Sequence, residues 1–127
     1  MTDAGKTRIL KILCADDHEL IRELLKRALS EAGHDVECVF DGQAAWELLS
    51  ADLSAFDVLI TDHQMPRLSG LALVQKLRRT AYTGRIIVES GILTSDLEAA
   101  FVALGVDRIA RKTTRPESIL ELIDGFV

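Results

Sequence analysis

Three aspartates, a serine and a lysine stand where short apolar runs end. Asp16 and Asp17 follow the run over residues 9–15, and Asp62 follows Val58-Leu59-Ile60-Thr61. Ser90 and Lys112 close two later runs. One acid at the end of a strand is ordinary. Two acids at one strand end and a third at another meet only if the strands are parallel neighbours. They then form an acidic cup. Crowded carboxylates raise one another's cost of ionising, and a divalent cation removes that conflict. An all-oxygen ligand set suits Mg²⁺, with Mn²⁺ as a substitute. A carboxylate is also a nucleophile toward phosphorus, giving an aspartyl phosphate. That transfer needs charge neutralised on the equatorial oxygens. Lys112 is placed to supply a positive group, and Ser90 a hydroxyl.

The elements that must position these residues follow from periodicity. Runs over residues 9–15, 36–40, 57–61, 85–89 and 106–110 read as buried strands, the last the weakest. Leu20, Ile21, Leu24, Leu25, Ala28 and Leu29 recur at helical spacing and are closed by Gly33. Asp41-Gly42 makes a turn before a helix lined by Ala45, Trp46, Leu48 and Leu49, and Leu71, Val74 and Leu77 mark the next. Ser95-x-x-Glu98 has the form of a capping box for a helix that ends at Gly105. Pro116 suits the first turn of a last helix bearing Ile119, Leu122, Ile123 and Phe126. Five strand–helix units predict an α/β protein whose parallel sheet is covered on both faces. Right-handed crossovers make it doubly wound, with its ligand site at the C-terminal strand ends, near the topological switch point.

The 127 residues amount to one domain, here residues 8–127 behind a polar segment over 1–7 expected to be flexible. Apolar residues make up 48% and charged residues 28%, as in soluble globular proteins. No apolar run approaches the roughly 18 residues of a membrane span, and the N-terminus lacks a signal-peptide core. A cytoplasmic protein with no membrane association is expected. The net charge of −5 argues against broad nucleic-acid binding. Cys14 and Cys38 sit inside apolar runs without metal-binding spacing and read as small core residues. His18 reads as a helix-start residue rather than a ligand, and His63 as pointing away from Asp62.

Taken in order, Asp16-Asp17, Asp62 with Met65-Pro66 and Gly70, Ser90-Gly91 and Lys112 resemble the response-regulator receiver domains of two-component signalling. The resemblance runs from about Arg8 to Phe126. It implies a flavodoxin-like sheet of strand order 2-1-3-4-5 with five helices. It implies phosphorylation of Asp62 by a histidine kinase or histidine phosphotransfer protein. Asp17, Asp62 and the backbone carbonyl of Gln64 would bind Mg²⁺, with Asp16 helping through water. Ser90 and Lys112 would contact the phosphoryl group. A downstream protein would read the face of the fourth helix, fifth strand and fifth helix. The chain would be no enzyme beyond its own phosphorylation and dephosphorylation. It would serve as a stand-alone regulator or as one part of a longer protein.

Several positions depart from the family pattern. Thr113 replaces the usual proline after the lysine, so the Lys112–Thr113 bond is either trans with a rearranged loop or cis at a cost of about 2.5–4 kcal/mol. Ile109 replaces an aromatic that rotates with the switch hydroxyl. Glu89 occupies an apolar strand position and should find a partner or reach water. Gln64 and Ile92 occupy positions that tune phosphoryl lifetime. Two other functions fit part of the pattern. A haloacid-dehalogenase-type phosphohydrolase also forms an aspartyl phosphate, but it uses Asp-x-Asp after its first strand and a cap domain. A phosphate-independent interaction module would need no acid triad.

Overall fold

In the computed structural model, residues 8–112 and 115–127 are described. Strands and helices alternate without exception: β1 Lys11–Ala15, α1 Glu19–Glu31, β2 Asp35–Val39, α2 Gly42–Ala51, β3 Val58–Thr61, α3 Gly70–Arg78, β4 Arg85–Ser90, α4 Ser95–Ala103, β5 Arg108–Arg111 and α5 Glu117–Asp124. All strand pairs are parallel and the sheet order is β2-β1-β3-β4-β5. This is the expected doubly wound, flavodoxin-like arrangement. The order reverses between β1 and β3, so their C-terminal ends flank the crevice where α/β sheets bind ligands.

Period-two alternation splits the apolar strand residues between two faces. Ile12, Cys14, Val58, Ile60 and Ile87 pack with Ile21, Leu25 and Leu29 of α1 and Ile119 and Ile123 of α5. Leu13, Ala15, Leu59, Ile86 and Val88 pack with Ala45 and Leu49 of α2, Leu73, Val74 and Leu77 of α3, and Phe101 of α4. Each fully buried Leu, Ile, Val or Phe contributes about 1.5–3 kcal/mol against exposure. The sheet is therefore held from both sides, and its strand ends form a firm platform. Gly33, at φ +97°, ends α1 in the left-handed region while the His34 amide returns to the Leu29 carbonyl.

Some boundaries differ from expectation. Ile9 and Phe40 lie outside β1 and β2 and are exposed, as is Leu20 on α1. Ser95 does not cap α4: Thr94 does, accepting from the Leu97 amide at 3.1 Å. Threonine one residue earlier offers the same hydroxyl chemistry, so the cap moved without changing its type. Residues 1–7 and Thr113, with the Lys112–Thr113 bond, lie outside the described residues.

Candidate functional site

Asp16 and Asp62 sit one step beyond β1 and β3, and the ladder continues through them. The Asp62 amide donates to the Ala15 carbonyl at 2.9 Å, and the Asp16 amide to the Val39 carbonyl at 3.1 Å. The backbones of both residues are therefore placed by the strand ladder. Each is nearly buried, at 3% and 4% exposed, whereas Asp17 faces solvent. Gly70 opens α3 against the Asp62 backbone: its amide donates to the His63 carbonyl, and a Cβ there would strike the Asp62 carbonyl oxygen. A side chain at position 70 would push the loop carrying Gln64 away from the cup. Gln64 itself is exposed in that loop.

Lys112 crosses from the end of β5 to the cup. Its backbone amide donates to the Ser90 carbonyl, so β4 and β5 set its position. Its ammonium donates to Asp16 Oδ1 and Asp62 Oδ2, each at 2.9 Å, and to His18 Nδ1 at 2.6 Å. The three N–H groups of an ammonium thus meet three acceptors. Burial pulls the Lys112 pKa down, but the hydrogen bonds and charges of Asp62 and Asp16 outweigh it and hold the value above the ordinary one. Asp62 Oδ1 accepts from the His63 amide at 2.7 Å, which fixes the rotation of the carboxylate. The His63 ring points elsewhere, edge-on to Phe101 at 5.7 Å.

Ser90 closes β4 and is 1% exposed. Its hydroxyl donates to the Ile92 carbonyl at 2.8 Å, so it is tied to the loop before α4. Ile109 is half-buried in β5 beside the α2–α3–α4 core. Glu89 contradicts its expectation: it is 1% exposed, and neither carboxylate oxygen has a hydrogen-bond partner among the described residues. The strand register places it opposite Ala110 on the α1–α5 side. Burial, reinforced by the negative charge of Asp16, pushes its pKa up to about 7.

His18, read from the sequence as a helix-start residue, is the N-cap of α1 and also reaches the cup. Its Nδ1 joins carboxylate oxygens of Asp16, Asp17 and Asp62 in a group of possible ligand atoms within 4.8 Å of one another. The sequence signal for this is its position directly after the acid pair.

A buried acid pair from adjacent parallel strands is thus clasped by the lysine that follows β5. The sequence model of the response regulator receiver domain family matches residues 12–124. The chain belongs to that family. It is thus a receiver domain of two-component signalling, a protein class that interacts with kinases and downstream effectors. Response regulator MprA of Mycobacterium ulcerans is 34% identical over 111 residues, covering 87% of this chain and 47% of that protein. Transcriptional regulatory protein TctD of Salmonella typhimurium is 40% identical over 74 residues, covering 58% and 32%. The chain spans about half the length, or less, of these relatives. The receiver fold is shared with Vibrio cholerae chemotaxis protein CheY4, at TM-score 0.82 and 27% identity over 94% of this chain and 100% of that one. A response regulator receiver protein from Pseudomonas putida aligns at TM-score 0.84 and 27% identity, over 94% and 98%. The receiver's acidic cluster is one that could hold a metal ion. Among the described residues no helix is long and apolar enough to cross a membrane.

Proposed function

We propose that this receiver accepts a phosphoryl group on Asp62 from a phosphohistidine of a sensor kinase or histidine phosphotransfer protein. The observation that carries the reading is the position of Asp62: buried, rotationally fixed by the His63 amide, and paired with the Lys112 ammonium. A carboxylate oxygen of Asp62 attacks phosphorus, the N–P bond to the donor imidazole breaks, and the O–P bond of an acyl phosphate forms. Asp16, Asp17, Asp62 and the Gln64 carbonyl would hold Mg²⁺, or Mn²⁺ in its place. The donor chemistry fits, because an ammonium already stands among the oxygens of Asp16 and Asp62. When bound, the cation supplies positive charge to the phosphoryl oxygens as the transition state forms.

Lys112 then exchanges its carboxylate partners for a phosphoryl oxygen. Ser90 exchanges the Ile92 carbonyl for another, and this pulls on the loop before α4. The change would reach a target protein through the face of α4, β5 and α5. Ile109 supplies aliphatic bulk there, so the readout depends on loop movement and not on rotation of an aromatic ring. Cytoplasmic location and non-enzymatic action go with this role.

Incubation with acetyl phosphate and Mg²⁺ is expected to add one phosphoryl group, seen by intact-protein mass spectrometry. Asp62→Asn is expected to abolish it. Undiminished labelling of that variant would show that another residue is the acceptor.

A further inference from the structure

We infer that His18 is a nitrogen ligand of the cation site, and that it tilts the site toward first-row transition ions such as Mn²⁺ relative to Mg²⁺. The inference rests on the metal-dependent phosphoacceptor reading and adds a ligand to it. His18 holds the N-cap position of α1, where Ser, Thr, Asp or Asn ordinarily bonds the helix amides. Its side chain makes no capping bond. The ring is turned to the acidic cup instead, with Nδ1 3.2 Å from Asp16 Oδ1, 3.1 Å from Asp17 Oδ1 and 2.6 Å from the Lys112 ammonium.

The ammonium has hydrogens and no lone pair, so Nδ1 accepts from it and the ring hydrogen belongs on Nε2. Nδ1 then presents a lone pair to two carboxylate oxygens with no hydrogen between them. Such a group of acceptors repels itself unless a cation neutralises it. Lys112 is that cation here, bonded at once to Asp16, Asp62 and His18. A metal ion that displaces Lys112 toward the phosphoryl group inherits the same three acceptors, with Asp17 alongside. The inherited set is mixed. Oxygen alone suits Mg²⁺, whereas a neutral imidazole adds affinity for transition ions. The backbone holds the ring near: the His18 amide donates to Asp16 Oδ1 at 2.8 Å, and Arg22 binds the Asp16 carbonyl at 2.8 Å. Ligand and carboxylate therefore move as one turn.

Pulsed electron paramagnetic resonance of the Mn²⁺-loaded protein tests this directly, because a coordinated imidazole gives nitrogen modulation of the echo. Calorimetric titration with Mn²⁺ and with Mg²⁺ gives the selectivity ratio. The wild type is expected to show nitrogen modulation, and His18→Ala and His18→Gln to lose it. Both variants should lose more Mn²⁺ affinity than Mg²⁺ affinity, so that their preference for Mn²⁺ falls, because imidazole favours transition ions over Mg²⁺. Mn²⁺ bound without nitrogen modulation, or an unchanged ratio in both variants, would overturn the role of His18 and leave Asp62 as acceptor. Failure of the wild type to bind either cation would overturn both.

Discussion

Glu89 is the residue whose chemistry is least compatible with its surroundings. Burial, with Asp16 and Asp62 nearby, raises its pKa from an ordinary 4.5 to about 7, while Lys112 pulls it partly back. In the unfolded chain the carboxyl ionises at lower pH, so between these values the fold binds more protons than the unfolded state. Stability is then full below about pH 4.5, declines as pH rises toward 7, and stays lower above it. The loss amounts to up to about 3 kcal/mol. Glu89→Gln removes the titration at nearly constant shape. The variant should match the wild type near pH 5 in urea unfolding and exceed it by up to that amount near pH 8. Equal stabilities at both pH values would mean that the native carboxyl finds solvent or a counter-ion.

Between strand and helix, the loop from Asp62 to Ser69 is fastened by another acid, Asp41, which follows β2. Asp41 is 2% exposed, accepts from the Ala44 amide at 2.7 Å as the cap of α2, and takes Arg67 Nε and Nη2 at 2.9 and 3.2 Å. The guanidinium, ahead of the capping amide, holds the Asp41 pKa below its ordinary value. Arg67 has φ +68°, a left-handed conformation that costs a non-glycine residue about 1–2 kcal/mol. Asp41→Ala should therefore lose about 2 kcal/mol, from the cap and from the hold on Arg67. Arg67→Ala should unfold more readily than Arg67→Gly by about 1 kcal/mol, because only glycine takes that φ freely. Chemical denaturation of the three variants checks both statements. This clasp was not legible in the sequence: Asp41-Gly42 read as a turn, and Arg67 carried no signal, since a pair 26 residues apart leaves no local pattern. The strands and the acid positions were legible, because alternation and run length report burial directly. Strand order, by contrast, came with the family resemblance and not from periodicity. Glu89 has no hydrogen-bond partner among the described residues because the strand register turns it toward the α1–α5 core, which one strand's own sequence does not report. His18 does start α1, as read, but its reach to the cup depends on Lys112, 94 residues away.

Across the whole molecule, three strand ends are tied together by charge more than by contact. Lys112 is separated in sequence by 96 residues from Asp16 and by 50 from Asp62, yet it bonds both with its side chain only 12% exposed. Removing one partner of such a buried group is strongly destabilising, at about 3–5 kcal/mol, because the remaining charges lose their compensation. The two acids would then repel across the β1–β3 crevice. Lys112→Met keeps the side-chain length and removes the charge, so its melting temperature in chelator should fall well below that of the wild type. A divalent cation held by the cup, as proposed, would restore the missing charge. It would bind only the folded cup and stabilise by RT ln(1 + [L]/Kd). In the variant it no longer has to displace an ammonium, so its apparent Kd should drop. Saturating Mg²⁺ should therefore raise the melting temperature of Lys112→Met by more than that of the wild type. Equal increments in the two proteins would mean that lysine and metal occupy separate places and do not compete for the strand ends.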